Sequence, residues 1–141
     1  MLYQLIYSSE ATQPMTATDL EKILVDARAG NETRNVTGVL IYVDGVFFQI
    51  LEGDKDVVVA LMKSIAQDSR HRSVKIFSEN ETNERAFGSW RMAYVNATPD
   101  QMSIWAGLPG TTTIESVLEG VEHHPQRVAQ IARGILKALK D

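Results

Sequence analysis

An amide inside an apolar run is the first feature of this sequence that could do chemistry. Gln49 lies within FFQILEG, where its side chain offers both hydrogen-bond donors and acceptors. A buried polar group without a partner costs about 1–3 kcal/mol, so something polar must face it. Tyr7 and Asn31 carry groups that pair well with an amide. The three residues therefore predict either a satisfied core amide or a site for a planar ligand with a donor–acceptor edge.

A β-hairpin positions Gln49. Residues 36–43 and 46–52 are rich in β-branched and aromatic residues, and only Asp44-Gly45 separates them. This dipeptide favours a type I′ turn, which pairs Leu40 with Gln49 and Tyr42 with Phe47. Paired residues share a face of the sheet, so the amide is expected among apolar neighbours.

Two amphipathic helices flank the hairpin in the sequence. Thr18 and Glu21 match a capping box for the first helix, which is expected to end at Gly30-Asn31. Asp54 matches the cap of the second helix, which is expected to end near Asp68. The apolar positions on one face of each helix are Leu20, Ile23, Leu24 and Ala27 in the first, and Val58, Leu61, Met62 and Ile65 in the second.

Three further β-prone segments complete the order of elements. They cover residues 2–8, 73–79 and 90–95, which gives β-α-β-β-α-β-β. The fold class predicted from this order is α+β, a ferredoxin-like sheet with two helices on one face.

The character of the chain changes after Asn96. Residues 98–113 contain Pro99 and Gly110 and are predicted to form a loop or linker around a short segment that contains Trp105. Pro125 suits the first turn of a final helix with an apolar stripe. We expect residues 1–97 to form the main domain and residues 98–141 a helical extension that packs on the sheet or on another subunit.

Composition excludes several classes of function. The chain has 141 residues and no cysteine, which rules out disulfides, thiolate nucleophiles and cysteine-based metal sites. A net charge of −4 argues against nucleic acid or an anionic membrane as partner. No apolar run is long enough for a membrane span and no signal peptide is evident, so a cytoplasmic location is expected. His123 and His124 lack the spacing of metal ligands, and no hydrolase motif is present.

Five ordered motifs resemble those of the BLUF family of blue-light sensors. They are residues 5–9 (LIYSS), 35–42 (NVTGVLIY), 47–53 (FFQILEG), 68–71 (DSRH) and 87–92 (FGSWRM). The resemblance covers roughly residues 1 to 96. It implies a ferredoxin-like sheet that holds a flavin, FAD or FMN, without a covalent bond and between the two helices.

The resemblance also implies roles for single residues. Tyr7 is similar to the tyrosine that passes an electron to the photoexcited flavin, and Gln49 to the glutamine whose amide then rotates or tautomerises. Asn31 is similar to the asparagine that binds the polar edge of the ring. The other residues expected at the cofactor are Ile23, Phe47, Ile65, Asp68 and His71. Trp90 or Met92 is expected to relay the switch, and which of them faces the glutamine stays open.

Simpler interpretations remain for several of these residues. Core packing alone would explain Ile23 and Ile65, and His71 could belong to a solvated basic cluster with its arginine neighbours. Two positions depart from the family pattern. Gly30 replaces a polar residue or second asparagine, and Ser64 replaces an arginine that reaches toward the flavin. These departures bear on affinity and recovery rate.

Three functions compete at this point. The first is a photoreceptor without enzymatic activity that signals to a partner protein in trans and forms a homo-oligomer. The second is an RNA-recognition-like module, which has the same β-α-β-β-α-β order and displays aromatic residues on its strands. The third is an acylphosphatase-like enzyme that uses Arg34 and Asn35, although fold alone implies no activity.

Overall fold

The computed structural model describes residues 1–111 and 113–140, which form a five-stranded sheet with helices on both faces. The strands are β1 (Leu2–Ala11), β2 (Thr37–Val43), β3 (Val46–Asp54), β4 (His71–Thr82) and β5 (Ala93–Asn96). The helices are α1 (Ala17–Arg34), α2 (Lys55–Gln67), α3 (Pro99–Ala106), α4 (Ile114–Val121) and α5 (Pro125–Lys140).

The sheet has the order β4-β1-β3-β2-β5, and only the β2–β5 pair is parallel. The predicted hairpin register is confirmed, since Leu40 pairs with Gln49 and Tyr42 with Phe47. Asp44 and Gly45 have φ angles of 45° and 80°, as a type I′ turn requires. The predicted ferredoxin-like α+β fold is confirmed.

Helix α1 begins and ends at other residues than predicted. Its capping box joins Thr16 and Asp19, not Thr18 and Glu21. The predicted end at Gly30-Asn31 is also wrong, because the helix continues to Arg34. A glycine inside a helix costs only about 1 kcal/mol, and Asn35, with φ of 56°, provides the left-handed cap four residues later. The extra turn brings Asn31 and Arg34 onto the helix.

The last predicted strand is shorter than expected. β5 begins at Ala93, whereas the sequence predicts that it begins at Trp90. The Trp90 N–H donates to the Phe87 carbonyl at 3.1 Å and so closes a turn before the strand starts. This turn decides the direction in which the following side chains point.

The region predicted as loop or linker contains a helix. α3 has Thr98 as its N-cap, Pro99 in its first turn and Gln101 as the reciprocal partner in a capping box. Helix α4 was not predicted. Thr112, within the predicted loop, and Asp141, in the predicted extension, lie outside the described residues. α5 begins at Pro125 as expected.

Each face of the sheet carries its own hydrophobic cluster. One cluster lies beneath α3, α4 and α5, where Ile41 and Ile50 of the sheet meet Ile131 and Ile135 of α5. The other lies toward α1 and α2 and includes Tyr7. The pleat of the sheet divides the two sets, because successive residues of a strand point to opposite faces.

β4 forms one edge of the sheet. Its pairing with β1 is interrupted by two register shifts, and its exposed side chains include Arg72, Lys75, Glu79 and Glu81. Across residues 1–111 and 113–140, no helix combines the length and the apolar character that crossing a bilayer demands.

Candidate functional site

Tyr7 and Gln49 lie opposite each other on β1 and β3, on the face that α1 and α2 cover. Both side chains are buried, and the Tyr7 hydroxyl donates a hydrogen bond to Gln49 Oε1. The other end of the amide, Nε2, donates to Met92 Sδ at 3.3 Å. The glutamine amide is therefore held between a donor on one side and a soft acceptor on the other.

The environment keeps the Tyr7 hydroxyl neutral. Burial raises the pKa of this phenol well above its ordinary value of 10.0, and the negative charge of Asp68 raises it further. The proton consequently stays on the tyrosine in the resting state. The hydrogen bond to Gln49 thus has a fixed direction, from the phenol to the amide oxygen.

A cleft opens above these two residues, between α1 and α2. Its volume is about 190 Å³, and Ile23 of α1 and Ile65 of α2 contribute apolar walls. Of the 18 residues of α1, only Leu24 and Asn31 are buried. The helix therefore borders a gap along much of its inner side, where a ligand can be inserted.

Asn31 lies at the cleft and is almost fully buried. Its Nδ2 donates to the Arg91 carbonyl at 2.8 Å, and Arg28, one turn earlier, donates to the Met92 carbonyl at 2.9 Å. Within the described residues no hydrogen bond reaches Asn31 Oδ1, so this oxygen is available to accept from a ligand. The side chain links the cleft to the backbone that carries Met92.

The opposite end of the cleft is polar and charged. Asp68 and Arg70 form a salt bridge at 2.6 Å, and the hydrogen bonds from Arg70 lower the pKa of Asp68 to about 2. His71 shares a 2.7 Å hydrogen bond with Ser9. Burial lowers the pKa of His71 against the opposing effect of Asp68, so the imidazole is neutral near pH 7. This end combines one carboxylate with a neutral imidazole.

Some of the other residues predicted at the site do not lie at the cleft. Phe47 does not line the cleft but contacts His71, with ring centroids 4.8 Å apart and ring planes tilted by 49°. Trp90 lies on the far face, against Phe87. Met92 is therefore the member of the Trp90–Met92 pair that contacts Gln49.

The site predicted from the sequence omits three charged residues of the cleft, Asp26, Arg34 and Arg70. Arg34 lines it together with Ser64, and its guanidinium covers Gly30 so closely that a Cβ there would overlap it. Gly30 and Ser64, the two positions that depart from the family pattern, thus lie near the guanidinium of Arg34. Arg34 would have been found had the helix been extended to its true end, because residues three apart share a helical face.

The cleft fits a flavin. Apolar side chains on two facing helices suit the faces of a planar ring, and polar groups at the floor and ends suit its hydrogen-bonding edge. Asn31 and Gln49 are among the polar residues that line the cleft. Among the described residues, no cluster of histidine, aspartate or glutamate is arranged for a metal ion.

The alternative functions find little support in this geometry. An RNA-recognition module exposes one face of its sheet, but here α3, α4 and α5 cover that face and Phe48 is buried beneath them. Asn35, proposed for an acylphosphatase-like site, caps α1 and its Oδ1 accepts from Arg91 at 3.1 Å.

Comparison with known proteins finds similarity to light-sensing proteins. The family model of BLUF, described as sensors of blue light using FAD, matches residues 2–93. Photoactivated adenylate cyclase subunit alpha of Euglena gracilis is 46% identical over 88 residues, which is 62% of this chain and 9% of that protein. Subunit beta from the same organism is 38% identical over 76% of this chain and 12% of its own length. The chain thus spans a small part of these relatives.

Solved structures of BLUF proteins are similar to this chain in fold. The ground state of BlsA is 32% identical with a TM-score of 0.71, over 79% of this chain and 76% of that one. The dark state of BlrB, a BLUF protein, has a TM-score of 0.77 over 97% and 96% of the two chains. Its 24% identity carries a likeness of fold alone.

Proposed function

Starting from the fact that this chain belongs to the BLUF family of flavin-binding blue-light sensors, we propose that Tyr7 and Gln49 form its light-driven switch. One observation carries the proposal. At the floor of the cleft, the Gln49 amide lies between the Tyr7 hydroxyl and the Met92 sulfur. An amide held in this way can exchange its donor and acceptor ends without any change of charge.

The bound flavin supplies the absorption of blue light and an excited ring that accepts an electron. Tyr7 would be the residue that supplies this electron, and its hydroxyl proton would move along the hydrogen bond onto Gln49 Oε1. Return of the electron would be accompanied by return of a proton from the Gln49 amide to the Tyr7 oxygen, and the neutral amide would keep its oxygen and nitrogen exchanged. Met92 Sδ then faces an oxygen and loses the N–H that it accepted before.

The other cleft residues bind and orient the cofactor in this proposal. Ile23 and Ile65 hold the two faces of the ring, and Asn31 Oδ1 accepts from its polar edge. Asp68 and His71 form the polar end, where the ionised carboxylate and neutral imidazole both present acceptors. Phe47 acts only through His71, whose ring it contacts.

We propose FAD as the natural flavin. The family description names FAD, and the cleft shares the lining residues Ile23 and Arg70 with a second concavity, which Lys22 also lines. A nucleotide tail leaving the cleft would pass these two basic side chains. Heat release of the bound flavin followed by chromatography tests this directly, and FMN as the main species would contradict it.

A visible spectrum tests the main proposal. The full chain is expressed, supplied with FAD and recorded in the dark and after blue light. We expect a yellow protein whose flavin bands move reversibly to longer wavelength. A colourless protein that takes up added flavin only weakly, or a yellow protein without a shift, would contradict the proposal.

The signal must leave through the remainder of the molecule. We propose that the chain itself catalyses no reaction, that residues 1–97 form the sensor, and that residues 98–141 act on a cytoplasmic partner in trans or on a second copy. The relatives that continue into adenylate cyclases support an effector beyond the sensor. Light scattering after size-exclusion chromatography, in the dark and under blue light, tests self-association. An unchanged monomer in both states would argue against the second copy.

A further inference from the structure

A short segment passes from one face of the sheet to the other beside the start of β2, before β5 begins. This segment, residues 85–92, is called the edge segment below. Near its start, Phe87 is buried in the cluster beneath α3, α4 and α5. At its end, Met92 is buried on the cofactor face against Gln49. The Gly38 N–H donates to the Trp90 carbonyl at 3.1 Å and holds the middle of the segment to β2.

A buried carboxylate fixes the start of the edge segment. Glu52 lies three residues after Gln49 on β3, so its side chain points to the opposite face. Its two carboxylate oxygens accept from the backbone N–H groups of Ala86 and Phe87, each at 2.8 Å. Hydrogen bonds from consecutive backbone amides to an ionised carboxylate are short and strong, so this end is firmly anchored.

The residues around Glu52 complete a clamp. Gln4 and Thr37, its cross-strand neighbours, donate to the same carboxylate at 3.1 and 3.3 Å. Arg85 donates to Thr37 Oγ1 at 2.9 Å, to the Glu52 carbonyl at 3.0 Å and to the Asn35 carbonyl at 2.8 Å. The side chain that begins the edge segment is thereby tied to β2, β3 and the end of α1.

The far end of the segment is held from the cofactor side. Arg28 and Asn31 of α1 donate to the carbonyls of Met92 and Arg91, and Gln49 donates to the Met92 sulfur. A change in the Gln49 amide therefore acts on the end of the edge segment that lies on the cofactor face. The clamp lies at the other end, next to the apolar cluster of α3, α4 and α5.

We propose that Glu52 is a positioning residue that makes the edge segment pivot as a unit, so that a displacement of Met92 reaches Phe87 and α3. The inference rests on the function proposed above. Because the Ala86 and Phe87 amides are anchored, a pull on Met92 rotates the segment about this point and turns the Phe87 side chain within the cluster that it shares with α3. When the clamp is loosened, the backbone of the edge segment moves locally instead. The displacement of Met92 is then not transmitted to the C-terminal helices.

A single substitution loosens the clamp while it preserves size. Glu52→Gln replaces one acceptor oxygen by an NH₂ group, which cannot accept from the backbone N–H that faces it. The flavin cleft lies on the other face and keeps Tyr7, Gln49 and Asn31. Glu81→Gln, an identical change at an exposed position of β4, is the matched control.

The experiment measures two responses of the FAD-loaded full chain to blue light. One is the shift of the flavin bands, and the other is the light-minus-dark difference in amide hydrogen exchange over the edge segment and α3. We expect Glu52→Gln to keep the full spectral shift and to lose most of the exchange difference in α3, several-fold below wild type. Glu81→Gln should match wild type in both.

Other results overturn the inference in distinguishable ways. A folded Glu52→Gln protein with the wild-type exchange difference shows that the clamp transmits nothing. Loss of its spectral shift shows that Glu52 acts on the cofactor site, and a wild-type shift without any exchange response in α3 shows that no pivot exists. If wild type lacks the spectral shift, the proposed function itself fails. If Glu52→Gln does not fold, Arg85→Lys, which loses the planar fork but keeps the charge, is measured with the same expectations.

Discussion

The two faces of the sheet are built on opposite principles. Beneath α3, α4 and α5 the side chains are apolar and interdigitated, and Ile131 and Ile135 are fully buried. Beneath α1 and α2 the sheet presents Tyr7 and Gln49 to a cleft, and α1 contributes only two buried side chains. One face supplies stability through packing, whereas the other leaves a place that a cofactor can complete. The comparison predicts that substitutions on the two faces affect different measurements.

The largest effect is expected from Tyr7→Phe. The variant lacks the hydroxyl that donates to Gln49 Oε1, so the light-induced shift of the flavin bands should disappear completely while flavin remains bound. Tyr3→Phe removes a hydroxyl four residues earlier on the same strand and should leave the shift intact. Spectra before and after blue light measure both. A normal shift in Tyr7→Phe would show that the switch uses another residue.

A substitution on the packed face should lower the stability of the protein and leave the spectral shift unchanged. Ile131→Ala removes a fully buried side chain from α5 and is expected to lower the free energy of unfolding by about 2–5 kcal/mol. The spectral shift should remain, because Ile131 belongs to the cluster on the other face. Ile104→Ala, at an exposed position of α3, should change stability by less than about 0.5 kcal/mol. Denaturant unfolding measures the free energy of unfolding of both variants. An equal loss in the two would contradict the stabilising role of the packed face.

Removal of the flavin should increase amide exchange mainly on the face of the sheet that α1 covers. Because α1 has few buried side chains of its own, its amides are expected to exchange roughly tenfold faster in the flavin-free protein, equivalent to about 1.4 kcal/mol of local stability. The amides of α5 should change much less. Hydrogen exchange followed by mass spectrometry measures both helices in one experiment. Equal acceleration of α1 and α5 would mean that the cofactor stabilises the whole molecule.

The smallest effect concerns pH. The pKa of His71 in the folded state lies below its ordinary value of 6.5, so the unfolded chain binds the proton more readily. Stability should therefore fall as the pH drops below 6.5, by at most about 1.4 kcal/mol per pH unit, until the folded-state pKa is reached. Melting temperatures measured from neutral to mildly acidic pH should fall less steeply in His71→Gln. An unchanged slope in His71→Gln would show that another group is responsible for the pH dependence.

The sequence predicted the part of the site that depends on short-range pairing. The Asp44-Gly45 turn sufficed to place Gln49 beside Leu40, because a two-residue turn determines the register of both strands. The direction of Met92 was not predictable, since it depends on the turn from Phe87 to Trp90. The bond from Asn31 to the Arg91 carbonyl joins residues 60 positions apart and arises only when α1 docks.

The missed helix has a different cause. Thr98 and Gln101 form a capping box that the sequence displays openly, but Pro99 between them was interpreted as a sign of a loop. A proline in the first turn of a helix is favourable, since the missing N–H has no partner there in any case. Arg34 was missed as a cleft residue because Gly30 was taken as the end of α1.

The edge strand β4 has a consequence for behaviour at high concentration. An open strand edge can pair with the same edge of another molecule and begin a growing β-aggregate. Here the register shifts against β1 and the charges of Arg72, Lys75, Glu79 and Glu81 make such pairing unfavourable. The protein is therefore less prone to polymerise along this edge in a crowded solution than a flat, uncharged edge strand would make it.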